Sequence, residues 1–206
     1  MVGMMRITLA RRSWRMLLAT LVLTLVVVGC AKPHQFNGTV FENPTPAFPF
    51  EGTNYTGDPF RLSDQQGKVV VIFFGYTFCP DVCPLALADL KAVTTKLGEK
   101  AQDLAVVFVT VDPERDTLER LAAYVGAFSP DFYGVRLDGQ MYEATKAAYG
   151  VFVEKRPVEN GDPNNYFVDH SAGVYVIDKT GNLSEAFRFD AGVDAILPDL
   201  EYWLSQ

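Results

Sequence analysis

Two cysteines, Cys79 and Cys83, stand in the run 71–84 (VIFFGYTFCPDVCP). An apolar stretch leads into them and a helical pattern follows, the layout of a strand, a short turn and a helix N-terminus bearing two thiols. Unpaired N–H groups and positive potential at a helix start favour thiolates. The pair therefore suits thiol–disulfide exchange or soft-metal ligation. On a helical turn their spacing puts both side chains on one face. One more residue intervenes than in a C-x-x-C pair, which leaves room for a metal without preventing a disulfide. Asp81, between the thiols, is a candidate helix cap or counter-charge to a bound cation. Pro84 fits a first helical turn, where its missing donor costs little.

An imidazole is a plausible third participant. Of the chain's two histidines, His34 lies in a polar lead-in, and His170 sits in the run 166–178 (YFVDHSAGVYVID), just before a strand candidate. Two thiolates and one imidazole suit three-coordinate Cu(I), whereas zinc normally takes a fourth ligand. On the residues alone, His170 reads equally well as a ligand or as a structural histidine. Asp169 is a candidate to orient it, although neighbours in extended chain face apart. No G-x-G-x-x-G or Walker pattern is present, and Ser171 lacks a nucleophile-elbow context.

Residues 1–29 carry Arg6, Arg11, Arg12 and Arg15 and no acidic residue, and Met16 to Gly29 is uncharged. That core is short for a membrane span, which needs about 20 residues. It reads as a signal peptide. The ending before Cys30 (VVGC) resembles the lipobox of bacterial lipoproteins, in which Cys30 receives lipid and becomes the first mature residue. An uncleaved signal anchor is the alternative. Residues 30–47 read as a membrane tether and 48–206 as one domain. Loss of the four arginines takes the net charge from −7 to −11, which argues against a nucleic-acid partner. With Cys30 acylated, two thiols remain, too few for a disulfide scaffold.

The elements that must position these residues follow from hydropathy. Residues 49–62 suggest one or two short strands. Lys68–Gly75 and Leu104–Val111 are near-continuous apolar runs, the pattern of strands buried on both faces. Helical periodicity marks Pro84–Leu97, Thr117–Phe128, Met141–Tyr149 and Val193–Leu204. Val151–Val158, Gly173–Ile177 and Ala186–Phe189 are strand candidates. The predicted class is α/β: a thioredoxin-like fold with a mixed central sheet, flanking helices and an N-terminal strand extension.

Three segments, 75–84 (GYTFCPDVCP), 111–117 (VDPERDT) and 168–172 (VDHSA), together resemble the Sco/SenC family. The resemblance runs from about Phe48 to the C-terminus. It implies a membrane-tethered, thioredoxin-like protein whose copper, as Cu(I) or Cu(II), is held by Cys79, Cys83 and His170. It further implies a copper donor protein, and as acceptor cytochrome c oxidase subunit II or another envelope cuproprotein, at the periplasmic face of a bacterial membrane. Asp81 matches the family's acidic residue between the cysteines. A reductase for the acceptor's cysteines is the competing function, with Cys79 and Cys83 as a redox pair. Against an ordinary thiol oxidoreductase, no proline precedes the strand after His170. Against a peroxiredoxin, Thr77 does not stand at T-x-x-C spacing from Cys79. Neither composition nor spacing assigns a role to Asp112 or Arg115. Turn capping by Asp112 and Asp116, with Arg115 paired to one of them, is the structural reading.

Overall fold

A computed structural model describes residues 33–158 and 165–206. Cys30 and the export segment lie outside the described residues. In chain order the elements are strands β1 (Thr39–Pro46), β2 (Glu51–Asn54), β3 (Pro59–Arg61) and β4 (Val69–Gly75), then helix α1 (Val82–Leu97). Strand β5 (Leu104–Thr110), α2 (Leu118–Phe128), β6 (Tyr133–Arg136) and α3 (Gly139–Ala148) follow. The chain ends with β7 (Val153–Pro157), β8 (Tyr166–His170), β9 (Gly173–Ile177), β10 (Asn182–Arg188) and α4 (Val193–Ser205).

Strands β4 and β5 have no polar face to give to water, and every residue of both is buried. They pair in parallel at the middle of an eight-stranded sheet ordered β1-β10-β9-β4-β5-β6-β2-β3. Strand β9 runs antiparallel to β4, with Phe73 opposite Val174, so the sheet is mixed. The helices flank this sheet, in the expected thioredoxin-like arrangement. Thr117 caps α2 by accepting from the Arg120 N–H at 3.2 Å. Gly98, at φ 58°, ends α1 in a conformation other residues rarely adopt.

The expected tether differs from the structure beyond residue 38. Thr39–Pro46 pair antiparallel with β10, within a compact unit of residues 36–206. The polar and proline-containing sequence of β1 hid it, because an edge strand is largely exposed and needs no apolar alternation. Two further strands escaped the sequence reading. Strand β6 has four residues, too few for a period. Strand β8 occupies Tyr166–His170, a stretch outside the strand candidates.

Candidate functional site

The Cys79 turn leaves the C-terminal end of β4, and α1 begins at Val82. Cys83 is therefore in the first helical turn, but Cys79 precedes the helix. The two thiols do not share a helical face as their spacing predicted, because the helix starts only at Val82. Cys79 Sγ accepts from the Cys83 N–H at 3.4 Å. Both cysteines are reduced and buried, Cys83 completely. The Cys83 thiol, donating to Cys79, is the main cause that pulls the Cys79 thiol down to about 6. Burial opposes this, and the N–H groups of Asp81, Val82 and Cys83 reinforce it. Burial pushes Cys83 well up. The site thus has one readily formed thiolate and one held thiol.

Because β9 is antiparallel to β4, the link from β8 to β9 crosses the end of β4 where the cysteine turn starts. That places His170 Nε2 3.8 Å from Cys83 Sγ. Burial lowers the His170 pKa, and the carbonyls of Val168 and Phe74 oppose that shift. The result at neutral pH is a neutral imidazole with a lone pair to offer. A metal-ligating histidine commonly orients its ring through such a carbonyl. The Tyr76 ring meets the imidazole edge-to-face at 5.6 Å. Among the described residues, no three or more His, Cys, Asp and Glu side chains form a ready-made metal cage.

The donor set still fits a soft cation: two sulfurs, one neutral imidazole and a surrounding of apolar rings. Gly75 contributes to the cradle. A Cβ there would lie 2.9 Å from Cys83 Sγ and 2.8 Å from the Phe108 ring. Only glycine leaves the sulfur its place.

The remaining candidates fare differently. Asp81 takes the N-cap position of α1, but its carboxylate makes no capping bond and its residue is exposed. Asp169 does not orient His170. It faces the opposite side of β8 and pairs with Arg156 at 2.9 Å. Strand alternation explains this, since adjacent side chains leave opposite faces.

In the segment after β5 the expected pairing of Arg115 with one of the two aspartates is present, to Asp112, and the reach of both aspartates to other elements is what the sequence did not reveal. Asp116 is fully buried and accepts from the Thr77 N–H at 3.1 Å, the Thr77 hydroxyl at 2.6 Å and the Thr110 hydroxyl at 2.5 Å. It thereby pins the cysteine turn to the end of β5. Arg115 Nε donates to Asp112 at 2.5 Å, and its Nη1 donates to the Tyr166 carbonyl at 2.8 Å. Tyr166 returns a hydroxyl bond to Asp112 at 2.8 Å. The one local signal was a pair of aspartates and an arginine directly behind a wholly buried strand.

A family model described as SCO1/SenC matches residues 42–205. An SCO2-like protein of Rickettsia prowazekii is 34% identical over 149 residues, which cover 72% of each chain. The solution structure of apo Sco1 from Thermus thermophilus is 38% identical with a TM-score of 0.73, covering 84% of this chain and 99% of that one. Bradyrhizobium japonicum ScoI, solved with copper bound, is 32% identical with a TM-score of 0.70, covering 77% of this chain and 99% of its own.

Proposed function

Since the chain belongs to the SCO1/SenC family, we propose that it is an extracytoplasmic copper chaperone. In this reading it binds copper through Cys79, Cys83 and His170 and assists assembly of the dinuclear copper centre of cytochrome c oxidase. The observation that carries the reading is the approach of His170 Nε2 to Cys83 Sγ, beside a Cys79 sulfur seated on N–H groups of the α1 start. Copper is the cargo. The copper-bound Bradyrhizobium relative supports it. Two thiolates and one imidazole would supply a three-coordinate set for Cu(I). The family resemblance supplies the oxidase as destination, and the sequence before Cys30 supplies a lipid anchor at the periplasmic face.

X-ray absorption of the reduced, copper-loaded protein tests the ligand set. We expect sulfur scattering from two thiolates. A spectrum without protein sulfur would remove the assignment. For the physiological role, a deletion strain should lose oxidase activity and oxidase copper, most severely when copper is scarce. Wild type should restore both, whereas Cys79→Ser/Cys83→Ser and His170→Ala should not.

A dithiol reductase for the acceptor's cysteines is the second reading. The asymmetry of the pair favours it: a thiolate at Cys79 can attack a disulfide, and the buried Cys83 thiol can then resolve the mixed disulfide. The two electrons pass to the acceptor, leaving Cys79–Cys83 oxidised until an external reductant restores it. Rescue of the deletion strain by His170→Ala, but not by the cysteine variant, would select this reading over copper delivery.

A further inference from the structure

His170 is carried by a strand that has no ladder to the main sheet. Strands β7 and β8 pair only with one another, and Val153 lies opposite His170. Beyond the two-residue link from His170 to β9, side chains join this hairpin to the main sheet. Arg115 has the geometry for it. Its fork bonds Asp112, at the end of the β5 segment, and the Tyr166 carbonyl, at the start of β8. Its Cζ lies 3.5 Å from the centre of the Tyr166 ring, and the Tyr166 hydroxyl closes the circuit on Asp112. A second tie runs from the Val168 N–H to the Tyr76 hydroxyl at 3.3 Å. The Lys155–Glu114 pair nearby is exposed and adds little.

We propose that Arg115 is a positioning residue, which through Asp112 and Tyr166 fixes the seat of β8 and so holds His170 beside Cys83. The cysteine half of the site has ties of its own: Asp116 binds Thr77, and the Cys79 sulfur accepts from the Cys83 N–H. Arg115 also touches this half, with its Cζ 4.6 Å from the Phe78 ring centre, where Arg120 lies at the same distance. The hydrogen bonds of Arg115 go to Asp112 and to β8, so its proposed action is on the histidine, and the His170→Ala background separates that action from any on the thiols. Its consequence for metal rests on the copper reading above; its consequence for the ring does not.

The experiment uses the full chain in detergent, with Arg115→Met and Arg115→Lys, each alone and combined with His170→Ala. Lysine keeps the charge but lacks the planar fork and the stack. Isotope-labelled histidine gives few signals, because the chain has two histidines. In the metal-free protein the His170 ring signals carry the shift imposed by the Tyr76 ring, and both Arg115 variants should lose that shift. Their Cu(II) affinity should fall by about tenfold or more, as for other residues behind a ligand. The nitrogen coupling in the Cu(II) spectrum should weaken with it. In the His170→Ala background, replacing Arg115 should cost nothing further. If either variant fails to fold, Tyr166→Phe, which removes only the hydroxyl bond to Asp112, should show the same changes at smaller size.

His170 ring signals that stay in place overturn the proposal whatever the metal does. So does an affinity loss that persists without His170, because Arg115 then acts on the cysteines or on the fold. Wild-type behaviour of Arg115→Lys overturns it too, since charge alone would then suffice. Moved ring signals in a chain that binds no copper uphold the positioning role and reject the copper reading.

Discussion

The chemistry of the site turns on small differences between neighbouring residues. Cys79 and Cys83 are both thiols, yet one is eased toward the thiolate and the other is held protonated. Alkylation of the metal-free protein should therefore modify Cys79 first, with a rate that rises through pH of about 6. Cys83→Ser replaces the donating thiol with a different donor and should move that midpoint; peptide mass spectrometry across pH reads it. Equal labelling of both cysteines would contradict the asymmetry. Gly75→Ala is the sharpest steric test. Its methyl group would crowd Cys83 Sγ and the rings of Phe73 and Phe108. Overpacking of this kind costs about 1–3 kcal/mol. Urea unfolding should show the loss, and copper affinity should fall because the sulfur has to move.

Among the elements, polar side chains do the joining that backbone ladders leave undone. Asp116 ties the turn after β4 to the end of β5. Asp116→Asn would turn an amide toward donors and strand at least one buried partner, at about 1–3 kcal/mol. Limited proteolysis between residues 76 and 81 should accelerate in that variant. A second joint sits where β1, β10 and α4 meet. Glu185 and Asp199 are buried together and receive the N–H groups of Asn37 and Gly38 and the indole of Trp203. Burial, and then the neighbouring Asp199, push the Glu185 carboxyl from 4.5 to about 8. Between those two values the folded chain holds a proton that the unfolded chain has released. Stability contributed by this group is complete below 4.5 and is lost as pH rises through about 8. The slope is up to about 1.4 kcal/mol per pH unit. Glu185→Gln mimics the protonated acid, so urea midpoints measured from pH 5 to 8.5 should flatten in the variant. A wild-type midpoint that rises over this range would reverse the sign and discard the shared proton.

At the scale of the whole molecule, one acidic domain is joined to a basic, apolar leader. We expect the mature protein to begin at Cys30 with lipid attached, and Cys30→Ser to abolish the attachment while leaving the Cys79–Cys83 pair intact. Intact mass of membrane-extracted protein reads this directly; retention of residues 1–29 without lipid would mean an uncleaved anchor. Among the described residues no helix is long and apolar enough to cross a membrane. Within residues 36–206 the Glu185–Asp199 joint holds the backbone of Asn37 and Gly38.

The sequence by itself determined the features that depend on near neighbours. Uninterrupted apolar runs marked β4 and β5, helical periodicity marked α1, α2 and α4, and C-x-x-x-C after a buried strand marked the chemistry. Three segments in order were enough to point to the family. Only the tertiary structure decided that His170 meets Cys83, because 87 residues separate them and the strand directions that unite them leave no local trace. It alone seated Arg115 between Asp112 and Tyr166, and it moved Asp169 onto Arg156. A hydrophobic residue is recognisable from its type and period, since any apolar neighbour satisfies it. A buried charge needs one particular partner with the right geometry, and dozens of residues of intervening chain conceal which partner that is.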